Sequence, residues 1–473
     1  MKQRQVRRDR PLSRFLFLFL MILALSACQS SSPPQNTPFT PTSTPVPTAT
    51  PVSAPPGVLW VDTSSDLGGL SKYVLGANHG PWSDLGIGNL EAAKESGITF
   101  LRWPGGNWGD RNDVRPEQIT NYLNMSRNMM GAEPSITVRL LGSTPEKAAD
   151  LVRYVNIEKG YGIRYWSIGN EPDLYAVEDP TWTPEYYARR WREFAQAMKA
   201  VDPGIIFYGP DISNFVGDQG SLDPLELLYR NGNKLDFTKI DYLTEFLKVN
   251  SDLVEIVTIH RYSFPLHSND GLPTWEQLRD NTSQWDRIIP NLRRIILETT
   301  GKEYPVGVME FNSHTSNVAG GETSPDSFYN ALWLADILGR MIREQPDMLA
   351  YWLLKSSTSG HGLMDSFNVR PTYYVYQLYK NFGGHLLDAS TDIPYVSVFA
   401  SKRDDGSIAL MLVNLNSTEI QKPLQLKDGD ALKIKEAFLF DANHKAESIA
   451  APAFTNGREI TLPAESVSLY ILK

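Results

Sequence analysis

Eight times between Tyr73 and Leu354 a short apolar run gives way to polar residues and then to a longer amphipathic stretch. Short runs alternating with helical patterns predict strands of a parallel sheet connected by crossover helices. The expected strands are Tyr73 to Ala77, Thr99 to Trp103, Ser135 to Leu141, Ile163 to Ile168, Ile205 to Tyr208, Ile256 to His260, Pro305 to Glu310 and Leu349 to Leu354. Helical spacing is clearest in Pro184 to Ala200, where Tyr187, Trp191, Phe194 and Met198 share a face, and in Phe328 to Arg343. Eight such units predict an α/β chain folded as a (β/α)8 TIM barrel, with its chemistry at the C-terminal strand ends. A length of 473 residues with 41% hydrophobic content leaves room for a second, smaller domain.

That second domain is expected at 391–473. From Tyr395 onward helical periodicity stops, strands alternate, and turns fall at Asp404-Asp405-Gly406 and Asp428-Gly429-Asp430. A β-sandwich is the expected form, with 57–64 as a candidate extra strand; the barrel then occupies 57–390. Ahead of both, Lys2, Arg4, Arg7, Arg8, Arg10 and Arg14 precede the apolar stretch Phe15 to Leu25, which is too short to span a bilayer. Residues 1–27 read as a secretory signal peptide. The single cysteine, Cys28, closes Leu25-Ser26-Ala27-Cys28, which resembles the lipobox of bacterial lipoproteins. That resemblance implies acylation of Cys28, a lipid anchor in a membrane and a place on the bacterial cell surface. The tether 28–56 holds nine prolines among Ser, Thr and Ala, a composition that buries no core and reaches on the order of 80 Å when extended. A net charge of −9, more negative once the basic leader is set aside, argues against a nucleic-acid partner.

The polar residues that end the strands carry the chemistry. Tyr165-Trp166-Ser167-Ile168-Gly169-Asn170-Glu171-Pro172 stops on one carboxylate, and Val306-Gly307-Val308-Met309-Glu310 stops on another. Two acids delivered by separate strand ends suit glycoside hydrolysis with retention, one as proton donor and one as nucleophile. Arg102 in Leu101-Arg102-Trp103-Pro104-Gly105-Gly106-Asn107 is placed to hold a carboxylate ionised. Gly105 and Gly106 are expected to let the backbone approach a ligand and present Asn107. His260 and Tyr262 follow the sixth strand, and Trp352 ends the eighth, either as a flat face for a sugar ring or as a core residue. Trp82, Trp108 and Trp182 are candidates for outer subsites or for packed loop anchors. His79, His267, His314 and His361 come from separate loops without zinc-site spacing, so no metal is expected.

Asn170-Glu171-Pro172 on strand four, with Glu310 at the end of strand seven, resembles glycoside hydrolase clan A. The run Arg102 to Asn107, with Arg370-Pro371-Thr372-Tyr373-Tyr374, is most similar to the α-L-arabinofuranosidases of family 51, with families 39, 44 and 79 as relatives. The likeness covers about residues 72–390. It implies a retaining O-glycoside hydrolase of polysaccharide or oligosaccharide glycans that needs no cofactor. Under that resemblance Glu171 is the acid/base, Glu310 the nucleophile, and Asn170 a ligand for the hydroxyl beside the anomeric carbon. Arg102 and Tyr262 would bond Glu310 and Asn107 would touch the glycone; His260 and Trp352, read from their strand ends alone, are further candidates for binding substrate. Burial and the Glu310 charge are expected to lift the pKa of Glu171, with the acids about 5 to 5.5 Å apart. Family 51 enzymes place a Glu after strand one to bind arabinofuranose, where this chain reads Gly76-Ala77-Asn78-His79-Gly80. A β-xylosidase or endo-glycanase of the same clan, or a non-catalytic glycan-binding lipoprotein, therefore stand as alternatives.

Overall fold

The computed structural model describes residues 54–83, 85–218, 239–264 and 271–473. Cys28, the leader, the tether up to residue 53, and His267 lie outside the described residues. No helix among the described residues is long and apolar enough to cross a membrane.

Strand β1 (Leu59–Asp62) is followed by eight strands that close a parallel barrel in chain order. They are β2 (Gly76–Asn78), β3 (Phe100–Trp103), β4 (Glu133–Val138), β5 (Tyr165–Ile168), β6 (Ile206–Ile212), β7 (Ile256–Phe264), β8 (Val306–His314) and β9 (Met348–Tyr351). All eight expected strands are present. β2 starts later than the apolar run suggested, whereas β6, β7 and β8 run past their expected ends, with β7 and β8 still paired at Phe264 and His314.

Strand residues alternate between two apolar layers, as the two-residue period requires. Phe100 of β3, Tyr165 of β5, Tyr208 of β6 and Met309 of β8 fill the barrel interior, where the Tyr208 hydroxyl lies 2.9 Å from Ser135 Oγ across the lumen. Leu101, Trp103, Trp166 and Ile168 point the other way, into the larger core beneath the helices. Being covered on both faces explains why these strands read as nearly continuous apolar runs. The helix Pro184–Val201 starts with the Thr183 side chain accepting from the Tyr186 N–H and with Pro184 in its first turn. Tyr187, Trp191, Phe194 and Met198 are fully buried on its inner face.

The helix Phe328–Arg343 is buried nearly all round, because it lies between the barrel and a second sheet. That sheet holds nine strands in the order β15-β14-β17-β12-β11-β10-β1-β13-β16. Its members beyond β1 are β10 (His385–Ser390), β11 (Val396–Lys402), β12 (Ile408–Asn414), β13 (Ile420–Lys427), β14 (Ile434–Phe440), β15 (Lys445–Ile449), β16 (Glu459–Leu462) and β17 (Ser466–Leu472). β1 runs antiparallel to β10 and parallel to β13, so the segment before the barrel completes the C-terminal sheet. The sheet curls round its own apolar core, which includes Leu59, Val61, Leu410, Leu426 and Leu472. Phe399 of β11 lies where any side chain at Gly339 would have to sit, and Arg340 donates to Ser397 Oγ at 3.2 Å, which ties the sheet to the barrel helix.

Candidate active site

The C-terminal strand ends converge on a buried guanidinium. Arg102 shares the inward face of β3 with Phe100, one layer nearer the barrel mouth, and is fully buried. Its Nη1 donates to Glu310 Oε1 at 2.8 Å and to Asn78 Oδ1 at 2.9 Å. Nη2 donates to Asn170 Oδ1 at 2.9 Å and to Asp211 Oδ2 at 3.1 Å. One forked side chain thus ties β2, β3, β6, β8 and the turn after β5 together, which a point-charge lysine could not do.

Glu310 reaches this centre because β8 breaks its alternation. Val306 and Val308 face the outer core, and strict period two would send Glu310 after them. The register slips between Val308 and Phe311 on one side of the strand, and between Ile259 and His260 on the other, so that Glu310 pairs with His260. Such a bulge re-aims a side chain, here into the barrel mouth. Glu310 Oε2 accepts from the Tyr262 hydroxyl at 2.8 Å, so both carboxylate oxygens are held.

Glu171 gets its direction from an unusual backbone. Gly169 has φ +82° and Glu171 itself φ +48°, a left-handed conformation that side chains other than glycine adopt at some cost. The Glu171 N–H donates to the Asp211 carbonyl at 3.1 Å, and the Glu171 carbonyl accepts from Leu174 at 2.9 Å. The Asn170 N–H, one residue earlier, donates to Asp110 Oδ2 at 2.7 Å. Asp110 also accepts from the Leu140 N–H at 3.2 Å and from the Tyr175 hydroxyl, which clamps the turn from behind.

The two acids differ in surroundings. Glu171 keeps 14% of its side chain exposed, and His260 Nδ1 lies 3.2 Å from its Oε1. Burial, then the nearby Asp173 carboxylate, push its pKa up to about 8 against the pull of Arg102 and Lys239. Burial also lifts Glu310, which His260, Arg102 and the Tyr262 hydroxyl draw back while Glu171 pushes it further up. Repulsion between the acids was expected to help raise Glu171; burial and Asp173 lead instead, and the repulsion is felt at Glu310. Burial pulls His260 below the usual imidazole range, favouring its neutral form.

An oxygen of Glu171, an oxygen of Glu310 and a nitrogen of His260 lie within 4.8 Å of one another. Among the described residues this trio is the group that could converge on a metal ion. Both Glu310 oxygens are already engaged by donors and Arg102 stands beside them, so a second cation would have to displace a built network.

Around the acids, the exposed Asn107 accepts from Asn170 Nδ2 at 3.2 Å. Trp352 is half-buried above Gly105 and Gly106. A side-chain carbon on Gly106 would stand 2.4 Å from the Trp352 ring, and one on Gly105 would stand 2.9 Å from Asn78 Oδ1. The paired glycines therefore make room for protein groups rather than for a ligand, contrary to expectation. Trp182 is a packed anchor, edge-on to Tyr175 and Tyr186 at 4.9 and 5.0 Å. His79, His314 and His361 are buried apart from the acids, with His361 Nε2 2.9 Å from the His314 carbonyl. Arg370 fastens the loop after β9 by donating to the carbonyls of Ser356, Ser359, Gly360 and His361.

Asp211, Asn78, Asp110 and Asp173 were missed from sequence. Asp211 was hidden because the fifth apolar run was ended at Tyr208; Gly209-Pro210-Asp211, a small residue and a proline before an acid, was the available signal.

No protein-family model matches the chain. A probable α-L-arabinofuranosidase C from Aspergillus terreus is 26% identical over 181 residues, covering 29% of this chain and 36% of that protein. The chain thus spans about a third of the length of the first curated relatives it matches. An intracellular exo-α-L-arabinofuranosidase from Bacteroides ovatus is 22% identical over 463 residues, covering 80% of this chain and 79% of that protein. Among solved structures, a family 51 arabinofuranosidase from Xanthomonas axonopodis pv. citri superposes with a TM-score of 0.66 at 16% identity, over 88% of this chain and 99% of that one. A bifunctional glucanase-xylanase from a metagenome library gives 0.66 at 17% identity, over 89% and 99%. The fold is that of the glycosidase barrels with an appended β-domain. Within that class the chain is a distant homologue of the family 51 α-L-arabinofuranosidases and carries a catalytic domain similar to theirs.

Proposed function

We propose that the chain is a retaining O-glycoside hydrolase acting on polysaccharide or oligosaccharide glycans, with Glu310 as nucleophile and Glu171 as acid/base. The observation that carries this reading is the pair itself: two carboxylates with one oxygen of each within 4.8 Å of the other, one gripped by Arg102 and Tyr262, the other partly exposed and protonated up to about pH 8. So close an approach of oxygens suits a retaining pair, whose carboxyl groups stand about 5 to 5.5 Å apart, better than an inverting pair, which leaves room for a water between its acids.

Glu310 attacks the anomeric carbon as the bond to the leaving oxygen breaks, and Glu171 gives its proton to that oxygen. A glycosyl ester on Glu310 results. The Glu171 carboxylate then takes a proton from water, the water oxygen bonds the anomeric carbon, and Glu310 leaves with its electron pair. Arg102 and Tyr262 hold Glu310 in line and take up its charge as it returns. Asn170, whose amide nitrogen donates to Asn107, would meet the hydroxyl next to the anomeric carbon.

The relatives favour an arabinofuranosyl substrate. The end of β2 and the loop after it favour the second reading, a xylosidase or endo-glycanase: Asn78, the last residue of β2, is bonded to Arg102 and to the Met309 and Ala350 carbonyls, and His79 is buried. Neither residue supplies the carboxylate that a family 51 furanoside site uses. Glu310→Ala and Glu171→Ala, assayed on a panel of aryl glycosides and hemicelluloses, test the mechanism. Each is expected to lose hydrolysis by at least about a hundredfold, and substantial retained turnover by either overturns the assignment.

A further inference from the structure

Three tryptophans, from the segments that follow β2, β3 and β9, form one surface at the barrel mouth. Trp352 follows β9 and is pinned next to Glu310: its N–H donates to the Phe311 carbonyl at 3.0 Å, and its own carbonyl accepts from Asn312 Nδ2 at 2.6 Å. Trp82 follows β2, with its ring centre 6.2 Å from that of Trp352 and tilted 32° to it. Trp108, on the short helix after β3 and next to Asn107, lies 6.3 Å from Trp82 at 43°. The rings are facets of a bent wall rather than a closed stack. Trp82 is 41% exposed, and Trp108 and Trp352 are half-buried.

Glycines let two of the three rings lie close against the backbone. A side-chain carbon on Gly80 would stand 1.8 Å from the Trp82 ring, so that indole lies flat against its own loop. Gly106 does the same under Trp352. An indole kept partly in water and fixed in place has no packing purpose within the chain, and contiguous exposed apolar surface at a cleft marks a binding surface. Fixing the rings beforehand lowers the ordering cost of whatever lies on them.

Resting on the glycosidase reading, we infer that Trp82 and Trp108 extend the site beyond the ring at the scissile bond and carry further units of a neutral pyranose chain. A six-membered sugar ring presents a flat C–H face to an indole and keeps its hydroxyls at the rim, where Asn107 can meet them. A neutral occupant suits this surface: Trp82, Trp108, Asn107 and Trp352 are uncharged, and the exposed Arg111 on the Trp108 helix is paired with Glu178. The substrate is then a polymer or long oligomer, whether cleavage falls in its backbone or at a branch upon it.

The test compares Trp82→Ala, Trp108→Ala and Trp82→Phe with the intact chain on xylo- and cello-oligosaccharides of two to six units, on arabinoxylan and on xyloglucan, with aryl monoglycosides alongside. For each alanine variant the ratio of kcat/KM on the longest cleaved oligosaccharide to that on the aryl glycoside is expected to fall about tenfold, the scale of one lost aromatic contact. Trp82→Phe should restore most of the ratio. An unchanged ratio with both alanine variants folded overturns the inference. If the intact chain cleaves nothing on the panel, the glycosidase reading has failed, and affinity electrophoresis in arabinoxylan or xyloglucan still decides the wall. Retardation that Trp82→Ala abolishes supports it, and no retardation of the intact chain overturns it.

Discussion

Arg102→Met should leave Glu310 and Asp211, the two carboxylates that Arg102 pairs with, without their cation. Methionine fills much of the volume and removes every donor, so Glu310, Asp211, Asn78 and Asn170 each lose a bond of 2.8 to 3.1 Å. Breaking a buried ion pair by removing one partner costs about 3 to 5 kcal/mol, and Arg102 pairs with two acids that are both almost wholly buried. Thr258 still donates to Asp211 at 2.5 Å and Tyr262 to Glu310 at 2.8 Å, so the loss should sit near the lower end, about 3 kcal/mol, rather than double it. The sign on activity follows from charge. Arg102 draws the Glu310 pKa down against burial, so its removal leaves Glu310 protonated to higher pH. The nucleophile must be ionised, so the acid limb of kcat/KM should move to higher pH by one unit or more, roughly 1.4 kcal/mol per unit. Arg102→Lys restores the charge without the fork, so it should bring the limb part of the way back while leaving the rate low. The assay is a pH–rate profile for the three proteins on an activated aryl glycoside, with thermal unfolding run beside it. An acid limb that stays put in Arg102→Met, with the protein folded, would refute the role given to the guanidinium.

Glu171, protonated up to about pH 8, should set the basic limb, with kcat/KM on a poor leaving group falling as pH rises through about 8 and that limb vanishing in Glu171→Gln. The same raised pKa has a stability sign: the folded state holds this proton more tightly than the unfolded chain, so the contribution is full below about 4.5 and is lost as pH rises through about 8. Glu171→Gln should therefore gain melting temperature over the intact chain at pH 8 and lose that gain towards pH 4.5, and an equal difference at both would count against the buried acid. Asp110→Ala takes the acceptor from the Leu140 N–H and the Tyr175 hydroxyl and leaves the Asn170 N–H with the Tyr175 oxygen alone, at a cost of about 1 to 3 kcal/mol for each donor left dry. Because it loosens the turn that aims Glu171, its rate loss should grow as the aryl leaving group becomes more basic if Glu171 is the proton donor proposed, and a loss equal across leaving groups would make Asp110 a stability residue alone.

The barrel was legible because a parallel strand buried on both faces leaves an apolar run that ends where the chain reaches the rim. That rule placed Arg102, Glu171 and Glu310 at strand ends before any coordinates. It worked for Glu310 on incomplete grounds: the run Val306 to Glu310 marks the end of a strand, but its period would turn the acid outward, and only the slip in register brings it in. Pairing irregularities depend on neighbouring strands and leave no trace in a single run. Asp211 was lost for a related reason, since β6 continues through Gly209 and Pro210 into an acid with φ +57°. Gly105 and Gly106 were visible as permissive residues, but what they permit, the close approach of Trp352 and Asn78, lies in other segments. Trp182 and Trp82 look alike in sequence, and the packing of Tyr175 and Tyr186 against the former separates them. The C-terminal sheet begins at His385, ahead of the expected boundary, because β10 takes its partners from β1 and β11 rather than from the helix before it.

The central claim is that Glu310 forms a covalent bond to the sugar. Incubation with 2-deoxy-2-fluoro glycosyl fluorides of the pyranose and arabinofuranose series, followed by peptide mass spectrometry, reads it directly. The account predicts a single glycosyl adduct on the peptide carrying Glu310, formed by the intact chain and absent from Glu310→Ala. An adduct on another residue, or product released with inverted anomeric configuration from a substrate the chain demonstrably cleaves, would contradict it.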